Sequence, residues 1–389
     1  MYPDLSYFFH DLWGAQPDNW TSIFKTYGLF LVLAILAASQ ILYWQLKRKA
    51  SEQLFQPATV ETTIGQKPTW KDYAYNAFFG FLLGFKGLYA AQHFEQLQRN
   101  ADEVLLSLAG SWTGGILGAL LFAGLKGWDA YRLRNSQPKT RTVEIFPHDR
   151  IGEITLTAAI SGVVGAKLFY IFEDFSTFLE HPMKTIFSGS GLTIYGGLIG
   201  GFIAVSWYLR RNRIPLVPVL DAVAPALIVA YGIGRLGCHF SGDGDWGIIA
   251  SAQPSWWFLP DWLWSYDYPH NILREGIPLE GCQSRYCMHL GEAVYPTPLY
   301  ETAMAFAIGG ILWQAQKRFH TPGLVFFLYL TLNGLERFWI EKIRVNSQYD
   351  LGFLQATQAE IIATLLFVTG LSGMIWMWRT GVKRTETNK

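Results

Sequence analysis

The feature that most constrains this chain is a series of apolar stretches, each about 20 residues long, recurring along nearly its whole length. They run near 27–44, 74–93, 105–125, 152–173, 189–209, 218–238, 298–316, 322–341 and 355–378. About 20 apolar residues is what an α-helix needs to cross bilayer hydrocarbon, where its backbone must satisfy its own hydrogen bonds. Only 16% of the 389 residues are charged and half are hydrophobic, whereas an ordinary soluble domain carries roughly 25% charge. The expected fold is an all-α polytopic integral membrane protein with about nine transmembrane helices. A net charge of +1 gives no bulk electrostatic reason to bind nucleic acid, so basic residues must act by position.

Loop charge supplies an orientation. With the N-terminus outside, twenty basic residues, including Lys47–Lys49, Lys126–Arg150, Arg210–Arg213 and the tail to Lys389, fall in cytoplasmic segments and seven in the opposite ones. The positive-inside rule therefore favours N-terminus outside, C-terminus inside and an odd number of spans. No cleavable signal peptide is expected, because the first apolar run starts only at Tyr27 and no small-residue cleavage site follows it. The organisation expected is a periplasmic interfacial segment 1–26, a first helix 27–44, a helical hairpin 74–125, core helices 150–238, a periplasmic cap 239–297, C-terminal helices 298–378 and a tail 379–389.

Four basic residues remain inside the apolar stretches: Lys86, Lys167, Arg235 and Arg337. A charge at membrane depth costs several kcal/mol and is a functional-site candidate by default, the alternative being a side chain that snorkels to the interface. The two lysines are related. Gly84–Tyr89 aligns with Gly165–Tyr170 at an offset of 81, Gly114–Gly118 aligns with Gly196–Gly200 at 82, and each pair leads into a basic segment, Tyr131–Asn135 or Tyr208–Asn212. The pattern reads as a duplicated two-helix hairpin, with convergence of small residues at helix contacts as the alternative.

A second local signal ends the sixth stretch, Gly232-Ile-Gly-Arg-Leu-Gly-Cys-His-Phe-Ser-Gly-Asp-Gly-Asp-Trp-Gly247. So many glycines among Arg, Cys, His, Ser and Asp predict that the helix gives way there to a polar, flexible lip. Gly234–Asp243 resembles the signature of the prolipoprotein diacylglyceryl transferases. In the same order, Tyr27-Gly28, Gly165–Tyr170, Gly196–Gly200, Asp221 with Pro225, Pro296–Glu301, and Gly334–Glu341 with Arg344 resemble further motifs of that family. The chain departs from the pattern in its extra hairpin, in Cys238, Ser241 and Asp243 where the family carries Asn, Asn and Glu, and in Tyr195 where it carries His.

What the resemblance implies is a multi-pass enzyme of the bacterial cytoplasmic (inner) membrane. Its partners would be phosphatidylglycerol, prolipoprotein lipobox peptides and membrane lipids, without nucleic acid or any cofactor. A lipobox cysteine thiolate would attack the glycerol carbon, and glycerol phosphate would leave. Charge then builds on phosphate oxygens, which a planar, permanently protonated guanidinium pairs with bidentately. Arg235 and Arg337 are the expected phosphate ligands. Tyr195 and His239 are rival candidates for handling the thiol proton. Asp243, Glu301 and Glu341 would orient the arginines or serve as structural ion pairs. Tyr27 and Tyr300 would donate to headgroup oxygens, and Lys167, Gly196, Gly197 and Arg344 complete the expected substrate-binding set. A transporter and a catalytically altered lipid- or lipoprotein-binding paralogue are the competing readings. Cys282 and Cys287 either pair or remain free thiols, no spacing suggests zinc, and no phosphate-binding loop or dinucleotide fingerprint occurs. Within the cap, Ser255–Leu259 is too short to span and is expected at the membrane surface.

Overall fold

The computed structural model describes the chain apart from residues 100, 135–138, 187, 189, 190, 192, 320, 347, 351–354, 388 and 389. Asn135, Lys389 and the start of the stretch expected at 189–209 thus lie outside the described residues. In chain order the elements are α1 (Leu5–Trp13), α2 (Thr26–Ser51), β1 (Ala58–Ile64), α3 (Trp70–Gln92), α4 (Phe94–Arg99), α5 (Ala101–Leu106), α6 (Trp112–Arg132), β2 (Lys139–Ile145), α7 (Ile151–Glu173), α8 (Phe175–Glu180), α9 (Pro182–Ile186) and α10 (Ile194–Arg211). They continue with α11 (Leu216–Ser241), β3 (Ile277–Pro278), β4 (Met288–His289), α12 (Thr297–Arg318), α13 (Leu324–Glu341), β5 (Gln348–Asp350), β6 (Gln355–Thr357) and α14 (Gln358–Thr387). Among the described residues, four segments are long and apolar enough to cross a membrane: Thr26–Ser51, Pro147–Glu173, Leu216–Ser241 and Gln358–Arg379.

Two compact units result. One comprises Met1–Phe55 and Arg213–Lys389, the other Gln56–Asn212. In the first unit α11 packs against α2, α12 and α13, and α13 packs against α14. Its core joins Ala224, Ile228, Ala305, Ile308, Leu312 and Val325, with Val229, Tyr329 and Leu332 against them. Small residues let the backbones close up: a Cβ on Gly237 would stand 2.8 Å from Phe30 Cβ. Asp221 fixes the turn into α13, because its carboxylate accepts from Gly323 N at 2.7 Å and Phe326 N at 2.9 Å. These are N-terminal amides that have no partner within the helix, and Lys49 lies 3.8 Å from the same carboxylate.

The second unit contains two hairpins, α3 with α6 and α7 with α10. Gly84 faces the Gly114 carbonyl in one and Gly165 faces the Gly196 carbonyl in the other, with no room for a methyl group at either. Lys86 Nζ donates to the Ser107 carbonyl and, at 3.2 Å, to Ser107 Oγ. Lys167 Nζ donates to Ser188 O at 3.1 Å and to Ser188 Oγ at 2.9 Å. Each ammonium lies over a tyrosine ring three residues on, Tyr89 at 5.9 Å and Tyr170 at 5.5 Å. The same contacts thus recur at the sequence offset of 81.

Several expectations need correction. The helix expected at 105–125 is α6, starting at Trp112, because Ser111 Oγ caps its first turn by accepting from Gly114 N at 3.2 Å. The signature does not open into a lip where the glycines begin. Helix α11 stays regular through Ser241 and ends only at Gly242, whose φ of +63° suits glycine. Nor is the chain purely helical, since β1 pairs antiparallel with β2 from Ala58↔Ile145 to Ile64↔Lys139. Polar loop composition concealed this ribbon, although its Thr and Val residues favour strand.

Candidate active site

Helix α11 carries Arg235 near its C-terminal end, and α12 presents Glu301 one turn inside its start. The turn after α13 brings back Arg344, while Gly247 and Arg344 form an isolated β-bridge in which Ile248 N donates to Ile343 O at 2.9 Å. A Cβ on Gly247 would stand 2.6 Å from Ile343 O, so the glycine permits the approach. That bridge holds Asp245 beside Arg344.

Three guanidiniums converge as a result. Glu301, fully buried, pairs through Oε2 with Arg235 and through Oε1 with Arg344 at 3.0 Å and Arg337 at 3.5 Å. Tyr231 Oη donates to Glu301 Oε2 at 2.9 Å, and the Arg235 guanidinium lies over the Tyr231 ring at 5.1 Å. Asp245 bridges Arg235 and, at 2.6 Å, Arg344. Glu341 meets Arg337 at 3.0 Å, an ion pair whose Oε2 lacks hydrogen-bond alignment, and accepts from Asn346 Nδ2 at 2.6 Å. Among the described residues, Arg344 Nε is a buried donor without a hydrogen-bond partner, and both carboxylate oxygens of buried Glu336 are acceptors without one.

Outside the helices, the two aspartates of the signature diverge. Burial raises the Asp245 carboxyl, but Arg235 and Arg344 outweigh it and hold the group below the usual range. Burial pushes the Asp243 carboxyl up, and the like charge of Asp245 adds to this. Burial also opposes the Arg344 charge, yet Asp245 and Glu301 raise its pKa further.

The expected residues Arg235, Arg337, Arg344, Glu301 and Glu341 therefore come together. Asp243 differs, since the arginine ion pairs run to Asp245, a residue the motif contained but whose role sequence spacing could not assign. Cys238 Sγ, Asp243 and Asp245 have ligand-type atoms within 4.8 Å of one another, but the charge of Asp245 is already engaged by two guanidiniums. Tyr27 opens α2, with its ring 3.5 Å from the Cβ position of Gly237. Tyr300 Oη, expected to donate to lipid, instead donates to Leu263 O at 2.6 Å and ties α12 to the cap. His239 is buried, with Nδ1 3.2 Å from Tyr268 Oη and its ring against Phe240 and Tyr266. It lines a cavity of about 1130 Å³ shared with Tyr2, Asp11, Trp262, His270 and the 279–284 loop. Cys282 and Cys287 close that loop as a disulfide with Cα atoms 5.6 Å apart. Lys167, Tyr195, Gly196 and Gly197 belong to the second unit. There Tyr195 sits in the first turn of α10, Gly196 packs on Gly165, and a Cβ on Gly197 would stand 3.3 Å from Gly162 O.

The sequence model described as prolipoprotein diacylglyceryl transferase matches residues 130–376. A Corynebacterium glutamicum phosphatidylglycerol–prolipoprotein diacylglyceryl transferase is 31% identical over 226 residues, which cover 55% of this chain and 66% of the relative. The protein of that name from Symbiobacterium thermophilum is 31% identical over 224 residues, covering 56% of this chain and 74% of the relative. That from Lysinibacillus sphaericus is 27% identical over 232 residues, covering 59% and 78%. The chain thus spans about two thirds of the length of the Corynebacterium relative. With a family match that covers well over half of the residues and contains the three-arginine cluster, this chain belongs to the prolipoprotein diacylglyceryl transferase family, whose members are membrane proteins.

Proposed function

We propose that this protein transfers the diacylglyceryl group of phosphatidylglycerol to the lipobox cysteine of prolipoproteins in the bacterial cytoplasmic membrane. The observation that carries the proposal is the convergence of Arg235, Arg337 and Arg344 on Glu301. In the reaction the C–S bond forms as the C–O bond to phosphate breaks, the thiol proton is lost, and glycerol phosphate departs with more charge than the diester carried. Guanidiniums fixed in a site of low dielectric stabilise that charge without reorganising. Glu301 and Asp245 hold the forks in place beforehand, and the unpartnered Arg344 Nε supports a phosphate oxygen as a further acceptor. The phosphate ligands are Arg235 and Arg337, joined by Arg344.

The peptide enters the cap cavity. His239 lines it one helical turn beyond Arg235, with Tyr268 orienting the imidazole, which supports His239 as the acceptor of the thiol proton. Tyr195, Lys167, Gly196 and Gly197 contribute headgroup contacts, and Tyr27 flanks the signature helix. The nine long helices among the described residues, α2, α3, α6, α7 and α10 to α14, cross the bilayer, with the N-terminus and cap outside. The hairpin of α3 and α6 is a second copy of that of α7 and α10, as the matched Lys86–Ser107 and Lys167–Ser188 contacts support.

Purified protein mixed with phosphatidylglycerol and a lipobox peptide tests the reading by mass spectrometry. The expected result is a gain of one diacylglyceryl group on the cysteine. An unmodified peptide from folded, lipid-bound protein would instead indicate a binding paralogue or a transporter.

A further inference from the structure

The end of the second unit's first hairpin holds a cavity of about 690 Å³ that the transfer reaction does not use. Gln66, Lys67, Pro68, Thr69 and Asp72 line it from the start of α3, and Lys126, Asp129, Arg132 and Leu133 from the end of α6. Its two acids are already engaged. Asp72 accepts from Thr69 N at 2.6 Å and Thr69 Oγ1 at 2.8 Å, and Asp129 pairs with Lys126 at 3.1 Å. Lys67 and Arg132 have no ion pair among the described residues, so the cavity keeps a positive balance.

Its surroundings identify what such a cavity meets. Trp70, Trp128 and Tyr131 project around this end of the hairpin at 75%, 60% and 67% exposure. Tryptophan and tyrosine exposed at a helix end, with basic residues immediately beyond, are the pattern of a membrane interface, at the depth of headgroup phosphates. The adjoining ribbon repeats that pattern. Ala58↔Ile145 and Val60↔Val143 share one face, which Arg141 and Lys139 continue along β2, while Thr59↔Glu144 and Glu61↔Thr142 occupy the other. One face is thus apolar and basic, the other polar and acidic.

We propose that this cavity, on the side that loop charge assigns to the cytoplasm, binds the phosphate headgroup of an anionic phospholipid. Lys67 and Arg132 contact the phosphate, and the basic face of the ribbon lies on the leaflet. The site anchors the extra hairpin to the inner leaflet and is separate from the three-arginine cluster in sequence and in chemistry, since it needs no reaction.

The test uses full-length protein in liposomes containing phosphatidylglycerol with a photoreactive group near its phosphate, and maps crosslinked peptides by mass spectrometry. Labelling of 66–72 and 126–133 is expected, falling roughly 30-fold in Lys67→Gln/Arg132→Gln, the size expected when two basic contacts to an anionic surface are removed. The charge-conserving Lys67→Arg/Arg132→Lys protein should keep most of the labelling, which separates lost charge from lost fold. Peptide transfer, followed in the same samples, should be unchanged by either double variant, so failure here is distinguishable from failure of the proposed activity. Equal labelling in Lys67→Gln/Arg132→Gln, or equal labelling by a photoreactive phosphatidylcholine, would overturn the proposal. Displacement of the label by millimolar inorganic phosphate would also overturn it, assigning the cavity to a soluble anion.

Discussion

Arg344 and Glu301 stand 43 residues apart in the chain, yet Nη1 of one reaches Oε1 of the other at 3.0 Å. Glu301 is in turn the one carboxylate that touches Arg235, Arg337 and Arg344 among the described residues. Replacing Glu301 with Gln keeps the shape and removes the charge, leaving three guanidiniums with two ion-paired carboxylates. Breaking a buried pair in this way costs about 3–5 kcal/mol. Thermal unfolding in detergent should show the loss, and a melting temperature equal to wild type would reject Glu301 as the organising residue.

Lysine at the arginine positions tests the phosphate geometry. A lysine offers a point charge without the planar fork, so Arg235→Lys and Arg337→Lys should each lose on the order of 100-fold in turnover. Both proteins should still insert and bind lipid. Near-normal turnover would remove that arginine from the mechanism.

The two signature aspartates should respond oppositely. Asp245 is depressed, so its stabilisation is present above the unfolded value of about 3.9 and is lost as pH falls through the folded value. Asp243 is raised, so its contribution is present below that unfolded value and is lost as pH rises through the folded one. At pH 7, Asp245→Asn should therefore destabilise, by about 1–2 kcal/mol once the partial exposure of this carboxylate is discounted. Asp243→Asn should be neutral or stabilising. Denaturation followed from pH 3 to 8 checks both signs, and matching profiles for the two variants would contradict the assignment.

The thiol proton separates two residues. A general base contributes about 10²–10⁴-fold, so His239→Gln should lose at least about 100-fold in turnover while still binding phosphatidylglycerol. Tyr195→Phe should raise the lipid concentration needed and leave the pH profile in place. Full activity in the His239 variant rejects that histidine as base.

Orientation is open to labelling in intact cells. A cysteine at Gln253 in the cap should react with an impermeant maleimide, whereas one at Ser51, the last residue of α2, should react only after permeabilisation. The reverse pattern would invert the topology.

Sequence alone determined the helical, lipid-facing character of the chain, because a 20-residue apolar run has few other stable solutions. It also singled out Arg235 and Arg337, since charge in such a run is too costly to be incidental. The spacing of glycines and lysines at offsets of 81 and 82 was legible as well, and Lys86 and Lys167 make matching contacts to Ser107 and Ser188. Tertiary structure decided what depends on residues distant in the chain. It selected Asp245 over Asp243, because the Gly247–Arg344 bridge turns the loop so that only the second aspartate meets Arg344. It extended α11 through a glycine-rich signature, because packing against α2 rewards small residues that local propensity counts against. It committed the Tyr300 proton to the Leu263 carbonyl and paired strand residues 75 to 87 positions apart in the chain, from Ile64↔Lys139 to Ala58↔Ile145. Those partners arrive through the fold, and no local pattern encodes them.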